Sequence, residues 1–200
     1  MLKIYYSCLS ILWFLGFGLI KVQSPNTYQY KIVVKEIYKP YSSNRDTIYH
    51  SSDYKLTWND FTATPNGTLP FVAMTNSGFG YQWSSVSDDS STTITIYTSV
   101  YFIKSKSWVK QEAKTAYELA HEQLHFDITR QIANGFIKEL NNLKVDGNFT
   151  QTIRQLYKRH YNKLLIAQNQ YDEQTNHGLR KPEQLIWNEK VKKDLELIKF

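Results

Sequence analysis

The feature that most constrains the fold is a long helical repeat that starts just past Trp108. In VKQEAKTAYELAHEQLHFDITRQIANGFIKELNNL, Tyr117, Ala120, Leu124, Ile128, Ile132, Phe136 and Leu140 recur every three or four residues and form one stripe. Gly135 weakens this helix without ending it, and VDGN at 145–148 breaks it. A second helix fits residues 152–175 and stops near His177 and Gly178; a third runs from Pro182 to about Ile198, with the proline close to its start. The preceding residues, 28–105, have a different texture. YQYKIVVKEIY, YKLTWNDF, PFVAMTNSGFGYQW and TTITIYTSVYFI are rich in aromatic and β-branched residues and are separated by PYSSNRD, TPNGT and SSVSDDSS. The expectation is an α+β fold: an N-terminal, mostly antiparallel β-sheet of four to six strands packed with about three C-terminal helices.

The N-terminus stands apart. Lys3 precedes seventeen residues without charge, IYYSCLSILWFLGFGLI at 4–20, and Lys21 follows. A basic start and an apolar core predict a secretory signal over residues 1–24, or an uncleaved N-terminal anchor, since VQS before Pro25 is a poor cleavage site. Residues 25–200 then form a single exported domain, placed in the periplasm, the cell envelope or the medium. The single cysteine, Cys8, falls inside the leader, so the body must be stabilised by its core or by a metal instead of disulfides. The formal charge of +6 comes from scattered lysines and arginines with no block of like charge, which reads as a solvated surface and gives no support to nucleic-acid binding. Membrane contact is expected only through the N-terminal segment, where that segment stays uncleaved.

LAHEQLHFDIT, residues 119–129, carries the chemistry. Residues four apart on a helix share a face, so His121 and His125 can hold one ion between their imidazoles. At 100° per residue both lie within about 60° of the Leu124–Ile128 stripe and face the core side. Zinc favours such nitrogen ligands, and a catalytic zinc site takes three protein ligands and keeps one position for water. Glu122, next to a ligand, is placed to act as general base and acid, which is the logic of HExxH. The plain alternative is a helix whose two histidines merely hydrogen-bond within a core. For the third ligand His177 is the first choice, in NQYDEQTNHGLR at the end of the second helix. Asp172 and Glu173 are its rivals, and His160, flanked by Lys158, Arg159 and Lys163, reads as part of a solvated face.

HEQLHFDIT, YDEQTNHG at 171–178, Gln184 and Trp187, together with LTWNDF at 56–61, resemble an uncharacterised family of bacterial exported proteins described as zinc-dependent proteases. The resemblance covers roughly residues 54–190. Leu124 stands where that pattern most often has glycine, a departure that leaves the ligands intact. The resemblance implies a zincin-like helical site and adds weight to His177, because the YDxxTxHG unit recurs with HExxH.

Other residues carry two readings each. Asp127 either orients a ligating imidazole or lies exposed on the helix. Tyr171 either donates to a developing oxyanion or packs, and packing is the simpler role among 15 tyrosines. His50 reads as a loop residue. The function expected is an exported zinc-dependent hydrolase, most simply a peptidase acting on a peptide or protein, with zinc on His121, His125 and His177 and Glu122 as base. An extended substrate can be held along a sheet edge of the β half. The alternatives are a zinc-stabilised envelope module without turnover, which has no use for Glu122, and a metal-free interaction protein in which the histidine pair is incidental.

Overall fold

The computed structural model describes residues 28–39, 45–65 and 67–197; the expected export segment, 1–24, lies outside them. Six strands and three helices follow in order: β1 (Gln29–Glu36), β2 (Thr47–Tyr49), β3 (Ala73–Met74), β4 (Ser77–Ser87), β5 (Ser91–Ile103), β6 (Trp108–Val109), α1 (Ala116–Asn141), α2 (Phe149–Thr175) and α3 (Lys181–Glu196). The fold is α+β, with the sheet N-terminal and the helices C-terminal.

β5 is the spine of the main sheet. Its even residues from Thr92 to Phe102 are all buried and its odd ones half-exposed, the period-two pattern of a strand with one covered face. β4 pairs with it antiparallel along one edge, Ser77 opposite Phe102 and Ser87 opposite Thr92. The other edge is shared: β2 is antiparallel to residues 101–103, while β1 runs parallel to residues 91–98. The pairings are therefore mostly antiparallel, as expected, and the sheet is mixed through the one parallel pair, β1 with β5. β1 and β5 have no hairpin between them; the chain completes β2, β3 and β4 before returning, so β1 is free to enter in the parallel sense. β3 and β6 form a separate two-stranded ribbon.

LTWNDF is a 3₁₀ turn at Trp58–Asp60 and not a strand. Its side chains explain this. The buried Asp60 carboxylate accepts from the Thr57 amide at 2.9 Å, the Thr57 hydroxyl at 2.9 Å and the Tyr54 hydroxyl at 2.6 Å, and Lys104 Nζ sits 3.4 Å from it. Such a reciprocal cap ties the backbone into a turn.

α1 also starts later than its periodicity suggests. Thr115 caps it, its hydroxyl accepting from the Glu118 amide at 3.1 Å, and the residues before it form β6 and a short 3₁₀ turn. From His121 to Arg130 every residue except Gln123 is buried, because the sheet covers one side of α1 while α2 and α3 cover others. Arg130 reaches the Glu36 carboxylate and ties α1 to β1. Gly135 has a packing reason: a Cβ there would stand 3.2 Å from the ring of His160 on α2. His160 itself is buried, with Nε2 2.9 Å from Glu139 Oε1, which corrects its placement on a solvated face. Phe136, fully buried against Phe79, Tyr81 and Tyr157, joins α1 and α2 to β4. Phe136→Ala is expected to cost about 3–5 kcal/mol in chemical denaturation.

Candidate metal centre

Among the described residues, His121, His125 and Asp172 form a group whose ligand atoms all lie within 4.8 Å of one another. The i, i+4 spacing puts both imidazoles on the side of α1 that faces α2, and Asp172, in the last turn of α2, meets them there. Asp172 Oδ1 is 3.3 Å from His121 Nε2 and 3.1 Å from His125 Nε2. Burial opposes the charged carboxylate, but the hydrogen bonds of His121 and His125 and their charges outweigh it and hold Asp172 well below the usual carboxylate range. Burial likewise pulls the His125 imidazole down, yet its bond to Asp172, the charges of Glu122 and Asp172 and its bond to Gln168 leave it raised.

Both rings are oriented by glutamines. His121 Nδ1 donates to Gln184 Oε1 at 2.8 Å, and His125 Nδ1 donates to Gln168 Oε1. The amide ends are themselves fixed, Gln168 Nε2 donating to His125 O at 2.9 Å and Thr129 Oγ1 at 3.1 Å, and Gln184 Nε2 donating to Asn188 Oδ1 at 2.8 Å. A glutamine oxygen accepts and does not donate, so each Nδ1 carries its proton and each Nε2 is turned toward Asp172. Gln168 and Gln184 were not among the predicted ligands or base; Gln168 lies four residues before Asp172 on the same helical face, the one signal that could have found it. Gln184→Leu, which removes the acceptor for His121 Nδ1, is expected to weaken zinc binding about 10- to 100-fold in a competition titration.

Tyr171 is fully buried, its ring stacked on His121 at 4.6 Å and edge-on to His125 at 4.7 Å. Its hydroxyl donates to Gln184 Oε1 at 2.7 Å, and burial pushes its pKa far up. It packs and aligns the rings, with its hydroxyl committed to Gln184. Trp187 extends this packing, 5.4 Å from Tyr171, and its indole donates to Gln174 Oε1 at 2.9 Å.

His177 stands beside the group. Its Nδ1 is 3.5 Å from Asp172 Oδ1, and nearly half of its side chain is exposed. α2 ends in three successive left-handed residues, Asn176, His177 and Gly178, and the His177 amide donates to the Asp172 carbonyl at 2.8 Å. This closure of the helix end brings residues 172 and 177 together. Gly178 is needed twice over: its φ is +83°, and a Cβ there would press on the His121 ring at 3.3 Å. The His177 ring stacks on Phe71, which stacks in turn on Trp108, each pair 5.6 Å apart. Glu173 is exposed and lies outside the cleft lining.

The group opens into a cleft of about 300 Å³ between α1, α2 and the β3 segment, lined also by Glu118, Glu122 and His177. Glu122 is buried, and its Oε2 has no hydrogen-bond partner. Burial raises the pKa of Glu118 against the opposing charge of His121, with Glu122 adding to the rise. Asp127 lies on the far side of α1, buried, where it accepts from His50 Nε2 at 2.9 Å and Gln123 Nε2 at 2.9 Å. Neither sequence reading of Asp127 survives: it is not exposed, and its partner is His50, which lies in the loop just after β2 as expected and is buried there.

Residues 38–178 match the sequence profile of a bacterial protein family of unknown function, DUF922. No curated protein and no solved structure matches the chain. The matched span holds His121, Glu122, His125, Asp172 and His177, while Gln184 and Trp187 fall beyond it. With the profile covering most of its length, and with the cleft residues from Phe71 to His177 inside the match, the chain belongs to this uncharacterised bacterial family.

Proposed function

We propose that this protein is an exported, zincin-like zinc-dependent hydrolase that cleaves amide bonds in peptides or proteins. The observation that carries the reading is Glu122: a buried carboxylate with an unpartnered oxygen, in the same cleft as two imidazoles whose Nε2 atoms converge on Asp172. Leaving a buried carboxylate oxygen without a partner is costly, and a proton-transfer role at that oxygen gives a reason to retain it.

The donor set fits zinc. Ligand atoms about 2.0–2.2 Å from a tetrahedral ion lie about 3.3–3.6 Å from one another, and the separations of 3.3 and 3.1 Å between Asp172 Oδ1 and the two Nε2 atoms are close to that. His121, His125 and Asp172 would hold the ion, with His177 next to Asp172. A bound zinc would supply a Lewis acid that polarises the substrate carbonyl and acidifies a water. Glu122 would take a proton from the attacking water as its oxygen bonds to the carbonyl carbon, and would return that proton to the leaving nitrogen as the C–N bond breaks. Gln168 and Gln184 hold the imidazoles in the required tautomer. The test is zinc content and hydrolysis of a mixed peptide pool by the purified protein: about one zinc per chain with chelator-sensitive cleavage is expected, and a folded protein that binds no zinc defeats the reading.

A second reading, a zinc-stabilised module without turnover, draws on the 3.5 Å approach of His177 to Asp172. Four protein ligands would close the site as in structural zinc centres. A cobalt-substituted sample separates the two: an open site responds spectroscopically to added anions and a closed one does not.

A further inference from the structure

The cleft has direction. Thr75 Oγ1 donates to Glu122 O at 3.1 Å and Ser77 Oγ lies 2.7 Å from Thr129 Oγ1, so the segment 71–77 follows α1 from its Glu118 end toward Thr129. α2 forms the opposite wall in the reverse sense. Its cleft-lining residues, Asp172, Gln168, Leu165, Leu164 and Tyr161, fall at helical spacing on one face and change from polar to apolar along it.

The two walls differ in kind. Along the first, the Lys110 amide donates to Val72 O and the Asn76 amide to Ser107 Oγ, so the even residues 72, 74 and 76 look toward β6 and its neighbours. The same alternation turns the amide and carbonyl of Ala73 in β3, and of Thr75 just beyond it, to the other edge, where no strand of the described residues pairs with them. Both residues line the cleft. Along the second wall, Leu165 is 48% and Tyr161 40% exposed, large apolar side chains at the cleft rim, with Leu164 buried beneath. Seven residues of helix separate Leu165 from Asp172, about 10 Å, a distance that an extended chain covers in about three residues.

We propose that the cleft binds an extended peptide along the free edge of β3 and the residue that follows it, at Ala73 and Thr75, and seats a bulky apolar side chain against Tyr161, Leu164 and Leu165, about three residues from the bond that is cut. This rests on the hydrolase reading and adds to it a substrate class: unfolded or extended segments with one large apolar residue at a fixed offset.

The test uses full-length, zinc-loaded Glu122→Gln protein, so that binding is measured without turnover. The probes are fluorescent alanine-based peptides carrying a single Phe or a single Ser at successive positions. Tighter binding of the Phe peptides by about ten-fold or more is expected at one offset. Leu165→Asp should abolish that preference with zinc content and circular dichroism unchanged, and N-methylation of one peptide amide should weaken binding at a fixed register. If the parent cleaves peptides with no apolar preference, or Leu165→Asp leaves the preference intact, the proposal falls while the hydrolase reading stands. If the zinc-loaded parent cleaves no peptide and the variant binds none, both fall.

Discussion

Glu122→Gln is expected to lower peptide hydrolysis about 10²- to 10⁴-fold, the usual contribution of a positioned general base, while zinc content stays at the parental level. The side chain keeps its size, so the cleft keeps its shape; what is lost is an atom that takes a proton. The same substitution should not lower the melting temperature, because Glu122 Oε2 makes no hydrogen bond that the fold depends on. Loss of activity with unchanged metal and unchanged stability separates a catalytic from a structural carboxylate. A variant that hydrolyses peptides at the parental rate would remove Glu122 from the mechanism.

Asp172→Ala should have the largest effect on the metal. Asp172 Oδ1 is the oxygen on which His121, His125 and His177 all converge, at 3.3, 3.1 and 3.5 Å. Zinc affinity is expected to fall by more than about 100-fold, beyond what loss of an outer hydrogen-bonding partner costs. His177→Ala, which removes a half-exposed ring that meets Asp172, should cost about 10-fold by the same scale. Stability follows: a ligand present at about 1,000 times its Kd adds roughly 4 kcal/mol, so a chelator should lower the melting temperature of the parent and leave that of Asp172→Ala unchanged. The opposite order, with His177→Ala emptying the site and Asp172→Ala holding zinc tightly, would restore the three-histidine set that the sequence favours.

How far the sequence reached depended on whether the determining contacts were local. The order of sheet and helices, and the helices' extents to within a few residues at most ends, follow from periodicity and from VDGN and YDEQTNHG as breaks, which are properties of neighbouring residues. That His121 and His125 share one face of α1, with Glu122 three residues before His125 at its flank, follows from helical spacing; that all three open into one cleft depends on the walls that α2 and the 71–77 segment supply. LTWNDF misled because its apolar and aromatic content suggested a strand, while a buried aspartate, invisible as such in the sequence, folded it into a capped turn.

What the chain alone determined, then, was the pair of imidazoles and the carboxylate between them, set by a 3.6-residue repeat within five consecutive residues. Tertiary structure decided everything that had to come from another element. Asp172 reaches both imidazoles because α2 ends against α1, Gln168 and Gln184 set their tautomers from two different helices, and Asp127 turns away to His50 across the helix. A one-dimensional period fixes which residues share a face; which face meets which neighbour is set by the packing of α1 between a sheet and two helices, and only there do His121, His125 and Asp172 come within reach of one another.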